Sequence, residues 1–169
     1  MIIYILSLIC GVLVLGIDQL TKYYISSNFD LGFISDFIPG VIDITYIHNR
    51  GAAWGMLSGR TWILLYITAV VMVGCIIFLV KNKIKNPLLI WAMTLVLSGG
   101  IGNMIDRVFR DGNVVDFLHF TFWPDFPIFN VADCAIVVGA GLLILYFLLD
   151  SIKEYKLKKN EVKKEETNG

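Results

Sequence analysis

Ser98 to Cys134 reads SGGIGNMIDRVFRDGNVVDFLHFTFWPDFPIFNVADC, and this stretch decides the fold. It begins inside one apolar run, crosses a polar and aromatic segment, and ends in the next apolar run. Asp106, Arg107, Asp116 and Asp133 lie along it, with Asn103 and Asn130 beside them. A carboxylate at the centre of a membrane helix costs roughly 2.5–3.5 kcal/mol on insertion scales. A chain that places several at the ends of its spans is using them rather than tolerating them.

Outward from this stretch, the composition is that of a membrane protein. Of 169 residues, 57% are hydrophobic and 17% charged, and the mean hydropathy is +0.73; a soluble domain carries about a quarter charged residues. Residues 2–17 form the first apolar run. No basic segment precedes it and no small-residue cleavage site follows, so it is not read as a cleaved leader. A span needs about 20 residues, so the helix is expected to continue through DQLTKYY to about residue 24. Asp18, Thr21 and Lys22 then share one face at i, i+3, i+4. Further spans are expected at about 61–80, 87–105 and 130–149. Asn103, Asp106 and Arg107 repeat the same spacing at the end of the third.

The fold class expected is therefore all-α: four transmembrane helices with a small outward-facing β-sheet and an interfacial aromatic loop. Residues 1–152 make a single four-span domain. The sheet is placed at about 28–60: Ile42 to Tyr46 alternates as a strand, Asn49-Arg50-Gly51 is a turn, and Ala52 to Met56 is the returning strand. Asp116 is placed in the loop after the third span. The segment FLHFTFWPDFPIF is too aromatic and too broken by Pro124 and Pro127 to be a span, and suits the headgroup layer. Residues 153–169, rich in alternating charge, form a solvated and partly disordered tail. Nine of the fourteen Lys and Arg, Lys83 among them, fall on the side of the termini and five on the other. The positive-inside rule makes that side cytoplasmic. Asp18, Asp106, Asp116 and Asp133 then gather near the outer face.

What such a cluster does has a structural and a chemical reading. Asn130 can cap the fourth helix with Asp133 at its third position, and Asp106 with Arg107 can pair with Asp18 and Lys22 to pin two helices. Alternatively, two aspartates brought close cannot both ionise, so one serves as general base on water while the other donates a proton. A serine nucleophile lacks a GxSxG motif. The two His lack HExxH spacing and the aspartates lack a calcium-loop pattern, so neither a metal nor a cofactor is expected. The three Cys read as small buried side chains. Proton- or ion-coupled transport also uses intramembrane carboxylates and stands as the alternative; the absence of matched half-repeats speaks against it.

Asp18-Gln-Leu-Thr-Lys22, Asn49-Arg-Gly-Ala-Ala53, Gly102-Asn-Met-Ile-Asp-Arg107, Val114-Val-Asp-Phe117 and Phe129-Asn-Val-Ala-Asp133 follow one another in this order. Together they resemble the lipoprotein signal peptidase (signal peptidase II) family of bacteria, over nearly the whole chain. The resemblance implies an aspartic endopeptidase of the bacterial cytoplasmic membrane. It would cut prolipoproteins just before a cysteine carrying diacylglycerol, with a small outer sheet cradling the substrate. By motif position, Asp116 and Asp133 match the catalytic pair. Asn49, Gly51, Asn103, Asp106, Arg107 and Asn130 match residues around the site, and Asp18 and Lys22 the first-span motif. The implied partners are the lipid-modified prolipoprotein, membrane lipids and, as inhibitors, peptide antibiotics of the globomycin type; nucleic acid is not among them.

Overall fold

The computed structural model describes residues 2–81 and 84–168, with side chains to residue 161. Lys83, used in the charge count, and Gly169 lie outside the described residues. In chain order the elements are α1 (Ile2–Asn28), β1 (Ile34–Ile38), β2 (Ile42–Asn49), a short 3-10 turn (Ala53–Gly55), α2 (Thr61–Lys81), α3 (Pro87–Phe109), β3 (Val114–Phe120) and α4 (Val131–Asn168). All four described α-helices are long and apolar enough to cross a membrane. The expected spans are thus present, and two run further than hydropathy alone indicated. Helix α1 reaches Asn28 rather than about 24. Helix α3 reaches Phe109 rather than 105, and Asp106 and Arg107 are helical, as their spacing from Asn103 led one to expect.

The sheet differs from the expectation in its third strand. Its order is β1-β2-β3, antiparallel throughout. The returning strand expected at Ala52 to Met56 is instead the 3-10 turn. Trp54 (φ 54°) and Leu57 (φ 58°) are left-handed there, a conformation no strand can contain. The partner of β2 is Val114–Phe120, pairing Asn49 with Val114 and Ile47 with Asp116. Asp116 therefore sits on a strand, not in a loop. The sheet draws on both long connections rather than on 28–60 alone.

Register decides which way Asp116 faces. Val115 and Phe117 are buried with Ile25 of α1 and Tyr46 of β2 in one apolar cluster. Side chains alternate along a strand, so Asp116, between them, faces the opposite side, together with Asn49. A second apolar cluster, of Ile84, Leu89, Ile90 and Met93 packed against Ile3, Leu143 and Tyr146, closes the other end of the bundle. The polar residues occupy the sheet end. The aromatic segment after Phe120 folds into turns whose rings pack together: Phe120 edge-on to Phe126 and tilted on Phe129, and Trp123 tilted on Phe126.

Helix α4 does not stop at residue 149. It continues through the charged residues to Asn168, where a partly disordered tail was expected. The segment after Asp150 holds neither Pro nor Gly before Gly169. Lys, Glu and Leu are good helix formers, and Glu154 lies four residues before Lys158, the favourable order for an intrahelical pair.

Candidate active site

The site is assembled where α1, α3, α4 and β3 meet. Helices α3 and α4 approach very closely: a Cβ on Gly99 would lie 2.3 Å from the Ala132 carbonyl oxygen. Gly102 makes room for Asp18 in the same way, since a Cβ there would lie 2.6 Å from Asp18 Oδ2. Through that gap Asp18 Oδ1 accepts a hydrogen bond from Ala132 N at 2.9 Å. A carboxylate of the first helix thus satisfies an orphan amide at the start of the fourth.

Asn130 and Asp133 complete that helix start as a reciprocal capping box. Asp133 N donates to Asn130 Oδ1 at 3.0 Å, and Asn130 N donates to Asp133 Oδ2 at 3.1 Å. The capping reading of these two residues is correct, and it does not exclude the chemical one. The cap leaves Asn130 Nδ2 free to donate to Asp116 Oδ1 at 2.6 Å, and leaves Asp133 Oδ1 to accept from Asn103 Nδ2 at 2.8 Å.

Lys22 lies at the centre of the supporting network. It is fully buried, with its ammonium 3.0 Å from Asp18 Oδ2 and 3.2 Å from Asp106 Oδ2. It also donates to Asn103 Oδ1 at 2.9 Å. Asp106 Oδ2 further accepts from Val115 N at 3.1 Å, tying β3 to α3. Asp106 Oδ1 lies 3.3 Å from Arg110 Nε, an ion pair without hydrogen-bond geometry. The helix pinning expected of Asp18, Lys22 and Asp106 is therefore present.

Arg107 does not join that network. Its Nη2 donates to the Gly51 carbonyl at 2.9 Å and its Nη1 to the Asn103 carbonyl at 3.4 Å. One turn of helix separates it from Asn103 and swings it toward the loop after β2.

Three asparagines are oriented by one device. An amide has an acceptor end and a donor end, and the network must decide which points where. Asn103 Oδ1 is held by Lys22, Asn130 Oδ1 by Asp133 N, and Asn49 Oδ1 by Gly51 N at 2.8 Å. In each case the NH2 group is left facing a carboxylate: Asn103 toward Asp133, Asn130 and Asn49 toward Asp116, the last at 2.9 Å. Gly51 is required at its place, because a Cβ would lie 2.6 Å from the Met56 carbonyl oxygen.

Asp116 and Asp133 line one cavity of about 670 Å³, with Asn49, Asn103 and Arg107 at its polar end. Phe120, Phe126, Ile136, Val137, Val138 and Trp54 supply apolar wall. Burial, and after it the nearby Asp133 carboxylate, push the Asp116 carboxyl up to about 7 against the opposing effect of the two asparagine donors. At neutral pH such a pair can hold one proton between two carboxyl groups, which is what acid–base work on a water molecule requires.

All ten residues singled out in the sequence are brought into this region. Gln19, Arg110, Asn113 and Trp54 were not singled out. Gln19 Nε2 donates to Asp18 Oδ2 and to the Gly102 carbonyl, and Asn113 Oδ1 accepts from Arg50 Nε. Gln19 lies inside the first motif, which was the available signal; the others carry none.

The chain is similar to known proteins in sequence and fold. The family model described as Signal peptidase (SPase) II matches residues 10–149. The lipoprotein signal peptidase of Bacillus pumilus is 48% identical over 138 residues, covering 81% of this chain and 88% of its own. That of Symbiobacterium thermophilum is 40% identical over 146 residues, covering 85% and 95%. A solved bacterial membrane enzyme superposes with a TM-score of 0.81 at 38% identity, over 86% of this chain and 88% of that one.

Proposed function

Because the chain belongs to the Signal peptidase (SPase) II family, we propose that it removes the signal peptide from diacylglyceryl-modified prolipoproteins by an aspartic mechanism, with Asp116 and Asp133 as the catalytic pair. The observation that carries this reading is the meeting of two carboxylates, one from β3 and one from α4, in one cavity. Each is held by asparagine donors, and one is raised to about 7.

The geometry supports these steps. The pair starts with one proton. The ionised carboxylate takes a proton from water as its oxygen attacks the carbonyl carbon before the modified cysteine. The protonated partner gives its proton to the carbonyl oxygen, forming a tetrahedral diol. A diol proton then returns to one carboxylate as the C–N bond breaks, and the other carboxyl passes its proton to the cysteine amine. The pair ends with one proton again, and no cofactor takes part. Asn49, Asn103 and Asn130 aim the carboxylates. Asp18, Lys22 and Asp106 hold the three helices and β3 in register, and Arg107 anchors the loop at Gly51. The apolar wall from Phe120 to Val138 accommodates acyl chains of the substrate, and peptide antibiotics of the globomycin type inhibit by filling the same cavity.

The four spans and the distribution of Lys and Arg support a placing in the cytoplasmic membrane, termini inside and the site near the outer face. Residues 1–152 then form one membrane domain, and the helical extension of α4 enters the cytoplasm. The transport reading finds no support in the fold or among the relatives. The test is mass spectrometry of a diacylglyceryl-modified prolipoprotein incubated with the purified protein. A loss of mass equal to the signal peptide, with the unmodified precursor left intact, is expected. An intact modified precursor, or a cut elsewhere than before the cysteine, contradicts the proposal.

A further inference from the structure

A second cavity, of about 380 Å³, adjoins the first; the two share Asn49, Trp54, Pro127 and Ile128 in their walls. The remaining walls differ in chemistry. The first cavity continues over Ile136, Val137 and Val138 of α4. The second is bounded by Ile47, His48, Arg50, Gly55 and Ser58, three of them polar. A prolipoprotein has the same asymmetry. Its signal segment, before the cut, and the acyl chains on the cysteine, just after the cut, are apolar, whereas the chain that follows the cysteine is hydrophilic. A substrate lying across Asp116 and Asp133 with its apolar part along α4 passes its other end between Trp54 and Pro127–Ile128.

The charge in that second cavity is set by Arg50, the one Asp, Glu, Lys or Arg among the described residues lining it. Its Nε donates to Asn113 Oδ1 at 3.1 Å, which fixes the guanidinium while leaving its terminal nitrogens for a ligand. His48 is engaged with the Tyr46 hydroxyl at 2.8 Å. Burial, Arg110 and Arg50 all lower its pKa, so at neutral pH it adds hydrogen-bonding capacity and no charge. We propose that this cavity is the subsite for the residues that immediately follow the lipid-modified cysteine, and that Arg50 makes it favour an acidic side chain there. The proposal rests on the peptidase reading above and adds a specificity determinant to it.

The test uses diacylglyceryl-modified substrates that differ only in carrying Asp, Ser or Lys at the two positions after the cysteine. With the wild-type protein at low salt, kcat/KM should fall in the order Asp, Ser, Lys, by about two- to fivefold per step, as for a partly exposed ion pair. In Arg50→Gln the order should flatten, and in Arg50→Glu it should reverse. A photoreactive leucine two places after the cysteine should label residues 47–58 of the wild-type protein, a readout that needs no variant. Equal rates for the three substrates, an unchanged order in Arg50→Glu, or labelling confined to α4 overturns the subsite while cleavage itself leaves the peptidase reading standing. Failure of the wild-type protein to cut any of the three overturns both.

Discussion

Replacing Lys22 by Met keeps the length of the side chain and removes its charge. The ammonium has no exposed surface and serves three partners: Asp18 at 3.0 Å, Asp106 at 3.2 Å and Asn103 at 2.9 Å. The thioether would leave two buried carboxylates facing each other, Asp18 with no cation and Asp106 with only Arg110 at 3.3 Å. Removing one member of a buried pair costs about 3–5 kcal/mol. With two buried carboxylates losing the cation they share, the upper part of that range applies. At about 2–4 °C per kcal/mol for a chain of this size, the Tm should fall by roughly 10–15 °C in detergent, followed by circular dichroism. A second change separates charge from packing. Asp106→Asn in the Lys22→Met background removes one stranded charge while its remaining carbonyl oxygen can still accept from Val115 N, so it should recover a large part of the loss. Activity should remain low in both, because Asn103 loses the donor that fixes its amide toward Asp133. A Tm shift under about 3 °C, or a double variant whose loss is the sum of the single ones, would refute this reasoning.

Three further outcomes follow from the same geometry. The Asp116 carboxyl is raised to about 7, so the folded state holds this proton more tightly than the unfolded one. Its contribution is fully present below the ordinary carboxylate range and is lost as pH rises through about 7. Asp116→Asn escapes that loss, so its Tm relative to wild type should rise between pH 4.5 and pH 8, by the equivalent of roughly 4 kcal/mol at most; a constant difference contradicts the burial argument. Gly99→Val drives a side chain into the Ala132 carbonyl. It should cost about 1–3 kcal/mol with a larger loss of kcat than of stability, measured by denaturation and turnover on one preparation. Arg107→Ala frees the Gly51 carbonyl and should lower activity at least about tenfold with a smaller effect on Tm than Lys22→Met, to be read in the same two assays.

The sequence made legible what is local. Hydropathy located four helices, and the spacing of Asp18 with Lys22 announced a pair that the structure contains. Asn130 and Asp133 announced a helix start. What it concealed is non-local or conformational. Strand β3 pairs with a strand sixty-five residues earlier, Asn49 with Val114. Val114 to Phe117 is buried on both faces, so the polar alternation that marks a strand is absent. Ala52 to Met56 carries a strand-like composition but turns left-handed at Trp54. The charged end of α4 reads as solvated by composition, whereas its residue propensities favour the helix that forms. No sequence pattern could show that three asparagine amides point their donors at Asp116 and Asp133, because that depends on Lys22, Gly51 N and Asp133 N holding the other ends.

The most direct test of the proposed catalytic pair is turnover of a diacylglyceryl-modified substrate by purified Asp116→Asn, Asp133→Asn and the double variant. Asn keeps the shape and one acceptor oxygen, enough for one of the two donors each carboxylate accepts from, but cannot exchange a proton. Each single variant should remain folded and lose at least about a hundredfold in kcat/KM. The double variant should be hardly worse than either, because the two carboxyl groups act as a unit. Substantial turnover by either folded single variant would contradict the two-aspartate mechanism.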